Sequence, residues 1–156
     1  VSYRAFGLRY PLAEVPVVGP KAAGVKAMNL KEDDQIVNGL LVYSEGDTPV
    51  IMVTQRGAVK RMLAQEISQL GRAKRGLMVL RELKKNPHRI VYMGSGENQS
   101  LILTTQKGQM IEIETNQIPI NDRTSNGSFV TDEKSGGLIH EVARVIDPAI
   151  QEDSVL

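Results

Sequence analysis

The sequence has no cysteine and no tryptophan, and aromatic residues make up only 4% of it. Without thiols there is neither a disulfide framework nor a thiolate zinc site, and a reducing cytoplasmic location fits. The lack of tryptophan and the low aromatic content argue against propeller blades of the Trp-Asp type. No apolar run approaches the ~20 residues of a membrane-spanning helix, and no basic-then-apolar leader opens the chain. Apolar stripes at helical period are scarce, which argues against an α-helical fold. Patterns that carry chemistry are missing too. His88 and His140 stand far apart with no ligating cluster around either, so nothing marks a metal centre. No Gly-x-Ser-x-Gly nucleophile elbow occurs. Gly71 and Gly76 have the spacing of a phosphate-cradling loop, but Leu77-Met78 stands where that loop needs Lys and Ser or Thr. The expectation is a chain with no catalytic, cofactor or metal site.

What is present is enough apolar material for one globular domain: 156 residues, 41% hydrophobic and 24% charged. The formal net charge of +1 hides a division. Residues 1–91 carry a net +7 and residues 92–156 a net −6. Between 56 and 89, ten basic residues (Arg56, Lys60, Arg61, Arg72, Lys74, Arg75, Arg81, Lys84, Lys85, Arg89) face only Glu66 and Glu82. Such an excess suits a polyanion footprint, and a solvated strand face produces the same pattern.

The chain repeats itself. Ile51-Met52-Val53-Thr54-Gln55-Arg56-Gly57 matches Ile102-Leu103-Thr104-Thr105-Gln106-Lys107-Gly108 at an offset of 51. Glu66-Ile67-Ser68 then matches Gln117-Ile118-Pro119, and Gly76 matches Gly127. A third copy lies upstream at an offset of 52, with Val1-Ser2-Tyr3-Arg4-Ala5 against Val53 to Gly57, Glu14-Val15-Pro16 against Glu66-Ile67-Ser68, and Gly19 and Gly24 against Gly71 and Gly76. A repeat of this length is the mark of a blade or solenoid array. The units run over about 1–48, 49–99 and 100–149, with 151–156 a tail. Segments rich in Val, Ile, Leu and Thr at 39–43, 49–54, 76–80, 88–93, 100–105 and 109–114 predict strands, with turn clusters between them. Gly57 and Gly108 fall between two strands, where a tight hairpin needs φ > 0. Residues 58–67 and 109–118 are assigned to the second strand of each hairpin, and Gly24, Gly76 and Gly127 are expected to take equivalent places.

The stretch Tyr10-Pro11-Leu12-Ala13-Glu14-Val15-Pro16-Val17-Val18-Gly19-Pro20-Lys21-Ala22-Ala23-Gly24-Val25 resembles the blade repeat of the C-terminal domains of bacterial type IIA topoisomerase A subunits. There a basic-Gly turn leads to a Glu-hydrophobic-Pro segment, then to Gly-basic-x-x-x-Gly-hydrophobic. The second unit fits with Arg56-Gly57, Glu66-Ile67 and Gly71-Arg72-Ala73-Lys74-Arg75-Gly76-Leu77; in the third, Asp122 replaces the first glycine and Asn116-Gln117 the acidic residue. The gyrase loop Gln-Arg-Arg-Gly-Gly-Lys-Gly has no counterpart here, which points to the topoisomerase IV branch. Arg9-Tyr10 has the residue pair of a topoisomerase nucleophile, yet it aligns with Arg61-Met62 and Glu112-Ile113 and reads as an ordinary strand pair.

The resemblance implies an all-β fold: a β-pinwheel of four-stranded blades, about three of them present, whose basic rim binds and bends double-stranded DNA. Opening at Val1 inside a strand-like segment, the chain reads as a piece of a longer polypeptide. The residues expected to meet phosphates are Arg56, Lys60, Arg61, Arg72, Lys74, Arg75, Lys21 and Lys26. In the parent this element would present DNA to an ATP-dependent core for decatenation, relaxation and chromosome segregation. Its partners would be a second A subunit plus the B subunit, its location cytoplasmic and nucleoid-associated, and its Mg²⁺ and ATP would sit in other domains. Gyrase-type wrapping, or a protein-interaction module with no DNA affinity, are the competing readings.

Overall fold

The structure is a computed structural model that describes residues 1–146. Its strands are β1 (Phe6–Gly7), β2 (Pro49–Thr54), β3 (Ala58–Leu63), β4 (Leu77–Met78), β5 (Ile90–Ser95), β6 (Ser100–Thr105), β7 (Met110–Glu114), β8 (Ser128–Phe129) and β9 (Ile139–Arg144). Among the described residues a single four-residue α-helix, α1 (Glu133–Gly136), is joined by 3₁₀ turns at Leu12–Glu14, Ala64–Glu66 and Thr115–Gln117. Those three turns hold the repeat-matched Glu14, Glu66 and Gln117, so the expected second hairpin strand ends a turn early in each of the last two units. Among the described residues no helix is long and apolar enough to cross a membrane.

Each hairpin turn is built the same way. Gly57 and Gly108 take φ of 86° and 84°, and their N–H groups donate to Thr54 O and Thr105 O at 3.0 and 2.9 Å. The buried hydroxyls of Thr54 and Thr105 accept the next free amides, from Ala58 and Gln109, both at 3.1 Å. In the first unit Ser2 Oγ accepts from Phe6 N at 3.1 Å, and Ala5 stands in the glycine position at φ 70°. A hydroxyl four residues ahead is what lets the buried turn satisfy its backbone.

The sheets are ordered β1-β4, β5-β2-β3-β8 and β7-β6-β9. β8 belongs to the third unit yet completes the sheet of the second, pairing Phe129 with Ala58 and Ser128 with Val59. β4 of the second unit likewise pairs Met78 with Phe6 and Leu77 with Gly7 in the first. Each of the last two units therefore lends a strand to the one before it, and among the described residues only the middle sheet reaches four strands. All six residues of β2 are buried, because successive side chains point to opposite faces and both faces are covered. Val50 and Met52 join Met62, Val79, Leu80, Ile90 and Met93 in one core. Ile51 and Val53 join Val59, Leu101, Leu103, Ile113 and Ile139 in the other. Burying each such side chain stabilises the fold by about 1.5–3 kcal/mol.

Three strand expectations are corrected. Residues 39–43 form no strand. The matching β5 and β9 pair with β2 and β6, whereas the first unit offers only Val1 and Ser2 there, in a Ser2–Ile36 bridge. The segment expected at 76–80 shortens to Leu77–Met78. β9, at the end of the third unit, has no counterpart among the expected strands; its HEVAR run is mostly exposed and polar. The tail at 151–156 lies outside the described residues.

Candidate nucleic-acid interface

The basic loop at 71–76 bulges from the edge where the second unit sits on the first. Leu70 N donates to Arg9 O at 2.9 Å, Ala73 N to Ala27 O at 3.0 Å and Asn29 N to Lys74 O at 2.8 Å. These bonds hold loop 71–76 against the first unit's residues 26–29, so Lys26, Arg72, Lys74 and Arg75 come from two units but share one region, and Lys21 lies in the first unit's 19–22 turn. Lys21, Lys26 and Lys74 are exposed. Lys26 Nζ donates to Asn29 Oδ1 at 3.0 Å, and the Arg75 guanidinium lies 3.9 Å above the Phe6 ring. Stacking there keeps the arginine extended without neutralising it. Ion pairs among the described residues join Arg4 to Asp33, Arg56 to Glu133 and Arg89 to Glu82; none touches this cluster.

Other residues expected to meet phosphates are occupied within the fold. Lys60 is buried, and its ammonium donates to Val79 O, Arg123 O and Ser125 O at 2.7, 2.6 and 2.6 Å. Burial, opposed by Asp122 and Glu66, pulls its pKa down to about 8. Its assignment to the rim is therefore corrected: alternation along β3 turns Lys60 inward, onto the next unit's loop. Arg61 donates from Nη1 to Ile118 O at 3.2 Å, also across that joint. Arg9 does the same one unit earlier, from Nε to Ile67 O at 2.7 Å. The Arg9-Tyr10 pair is thus part of the packing. Arg56 bonds Glu133 Oε2 at 3.0 Å and Asn86 O at 2.7 Å, with its guanidinium 5.4 Å from the Phe129 centroid.

Arg72 has two attachments. Its Nε donates to Glu14 O at 2.9 Å and its Nη1 to Lys26 O at 2.6 Å. One repeat later, Arg123 Nη1 donates to Met78 O at 2.7 Å, and Met78 matches Lys26 in the frame. Both arginines are clamps between units, and backbone carbonyls leave their charge intact. The loop at 81–86 belongs to the basic run of 56–89 but not to the residues expected to meet phosphates. Arg81, Lys84 and Lys85 belong to it, with Arg81 and Lys84 among its exposed cations, while Arg81 N donates to Asn126 Oδ1 at 2.7 Å. The density of basic residues between 56 and 89 was the signal for them.

His88 is buried, with Nδ1 3.1 Å from Thr54 Oγ1. Burial, then the Arg56 charge, lowers its pKa below the usual value. No group of three or more His, Cys, Asp or Glu is arranged to hold a metal ion among the described residues.

Comparison with known proteins completes the picture. Residues 4–42, 48–95 and 99–130 match the family described as DNA gyrase C-terminal domain, beta-propeller. The A subunit of DNA topoisomerase 4 from Bacillus subtilis is 47% identical over 145 residues, which cover 92% of this chain and 18% of that protein. The Streptococcus pneumoniae protein of the same name is 43% identical over 148 residues, 85% of this chain and 18% of that protein. The chain thus spans about a fifth of the length of these relatives. Among solved structures, the C-terminal domain of DNA topoisomerase IV superposes with a TM-score of 0.86 at 41% identity, covering 100% of this chain and 50% of that one. The DNA gyrase A C-terminal domain gives 0.76 at 20% identity, over 94% of this chain and 49% of that one, a likeness of fold alone.

Proposed function

This chain belongs to the family of DNA gyrase C-terminal β-propeller domains, and on that premise we propose that it binds double-stranded DNA without regard to sequence and bends it, as part of a topoisomerase IV A subunit. The observation that carries this reading is the cluster of Lys26, Lys74 and Arg75, in which two units pool cations that no carboxylate pairs among the described residues. Phosphate contacts position a duplex, release counterions and offset the cost of curving it, on the order of 1–6 kcal/mol for a short site. Base reading needs an element that enters a groove. Here the sole described α-helix is four residues long and opens with Glu133. In the parent, the bent duplex would be presented to an ATP-driven core built with a second A subunit plus the B subunit, for decatenation, relaxation and chromosome segregation on the nucleoid.

The test is a fluorescence-anisotropy titration of one labelled duplex at several salt concentrations. Replacing Lys21, Lys26 and Lys74 together by Ala removes cations whose ammonium groups make no bond across the joint between units among the described residues. It is expected to weaken binding alike for unrelated sequences and to flatten the log–log salt slope by about 0.9 for each lost phosphate contact. Replacing Lys107, Lys134 and Arg144 removes the same formal charge from the acidic third unit and serves as the control. Equal losses from the two would mean that total charge alone matters. An unsubstituted chain that shows no affinity for duplex DNA would favour the protein-interaction reading, which the net −6 of residues 92–156 also suits.

A further inference from the structure

We infer that the source of the phosphate-binding cations changes sides between the two joints. Where the first unit meets the second, the later unit supplies them from loop 71–76. Where the second meets the third, the earlier unit supplies them from segment 81–85, through Arg81, Lys84 and Lys85. The inference rests on the DNA-binding reading above and adds a second contact site to it.

The two joints are built alike and charged oppositely. At the first, Asn29 N donates to Lys74 O at 2.8 Å; at the second, Arg81, which matches Asn29 in the repeat, donates from N to Asn126 Oδ1 at 2.7 Å. Asn126 in turn matches Arg75. Arginine and asparagine have thus exchanged places across the joint. A third position changes with them: the Arg75 guanidinium lies 3.9 Å above the Phe6 ring, and Ala58, which offers no ring, stands at the place of Phe6. Loop 71–76 carries a net +3 and loop 122–127 no net charge, whereas segment 29–34 carries −2 and segment 81–86 carries +2.

The fold leaves the relocated cations available. In the first unit Asp33 pairs with Arg4 at 2.9 Å. Lys85 and Arg56 are the matching residues in the second, and Arg56 reaches Glu133 of the third unit instead. Glu82, the one carboxylate of segment 81–86, is held by Arg89 at 3.2 Å. Arg81, Lys84 and Lys85 are exposed and enter no ion pair among the described residues. The segment has a set position, since Asn126 fixes its start and Asn86 O accepts from Arg56 Nη1 at 2.7 Å at its end. Unpaired cations on an anchored loop are what a phosphate contact needs.

Anisotropy titration of the labelled duplex over a salt series tests this. Arg81→Asn is expected to weaken binding and flatten the log–log salt slope by about 0.9, the effect of one lost phosphate contact. Adding Asn126→Arg returns the cation to the side it occupies at the first joint and should restore both. Adding Glu45→Gln instead restores the same net charge in the exposed 44–47 turn, on neither loop, and should restore neither. Lys84→Ala with Lys85→Ala should flatten the slope without lowering the melting temperature, and reads the site even if Arg81→Asn disturbs the fold. Unchanged slopes in all of these variants, beside a flattened one when Lys21, Lys26 and Lys74 are replaced, would overturn this inference and leave the DNA reading standing. A loss that Asn126→Arg fails to restore, or that Glu45→Gln restores equally, overturns it as well. An unsubstituted chain without duplex affinity removes both readings together.

Discussion

At the scale of single residues, Lys60 separates charge as written from charge as available. Its three carbonyl partners belong partly to its own unit and partly to the next. Lys60→Met would leave those acceptors buried and unpaired, at a cost of about 2 kcal/mol or more. The pH dependence has a definite sign. The unfolded chain keeps this proton up to about 10.5 and the folded chain to about 8, so between those values the unfolded state binds more protons. Stability contributed by Lys60 should rise with pH across that window and stay level below it. Urea midpoints of the parent and Lys60→Met at pH 7, 8.5 and 9.5 check this, and a gap between the two that does not widen would contradict it. Glycines also differ by surroundings. Gly76→Ala sets a methyl into the backbone of Gly7, whereas Gly108→Ala meets nothing within 4 Å and bears only the strain of φ +84°. The expected losses are above ~3 kcal/mol for the first and about 1–2 kcal/mol for the second, read from thermal melting. Glycine spacing was legible in the sequence; what each glycine touches was not, because its neighbour comes from another unit.

At the scale of elements, hairpins were the most legible part of the chain. Alternation in β6, the Gln-Lys-Gly turn and the apolar run of β2 are local signals, and each led to the right element. Two-residue strands such as β4 and β8 carry almost no period of their own. They exist because a neighbouring edge receives them, so reading 76–80 as a longer strand overstated what the sequence supports. The clamps were equally hidden: Arg72 and Arg123 look like loop cations in the sequence, and only their reach to Lys26 O and Met78 O shows the second role. Arg123→Met should therefore loosen β8 from β3. Hydrogen exchange is expected to quicken at Val130 N, which bonds Gly57 O at 3.0 Å, with little change at the β6–β7 hairpin. Uniform acceleration would show that the clamp is not local.

For the molecule as a whole, the polarised charge was visible from the sequence and the fold turns it into a place. Four of the eight residues first expected to meet phosphates, Lys60, Arg61, Arg72 and Arg56, are engaged by carbonyls or by Glu133, while Lys21, Lys26, Lys74 and Arg75 lie outside any ion pair among the described residues. Counting charges could not make that division, since side-chain direction depends on partners far away in the chain. The lending of strands between units has a further consequence. The segment copied in the sequence and the segment that closes a full sheet are out of phase: one begins again every 51 residues, the other runs from Pro49 to Phe129. Under tension applied along the chain, a unit would therefore not yield alone. Pulling out the third would peel the last strand from the second, so resistance to force is shared across the boundary like the overlap of roof tiles, and rupture should advance by joints, not by repeats.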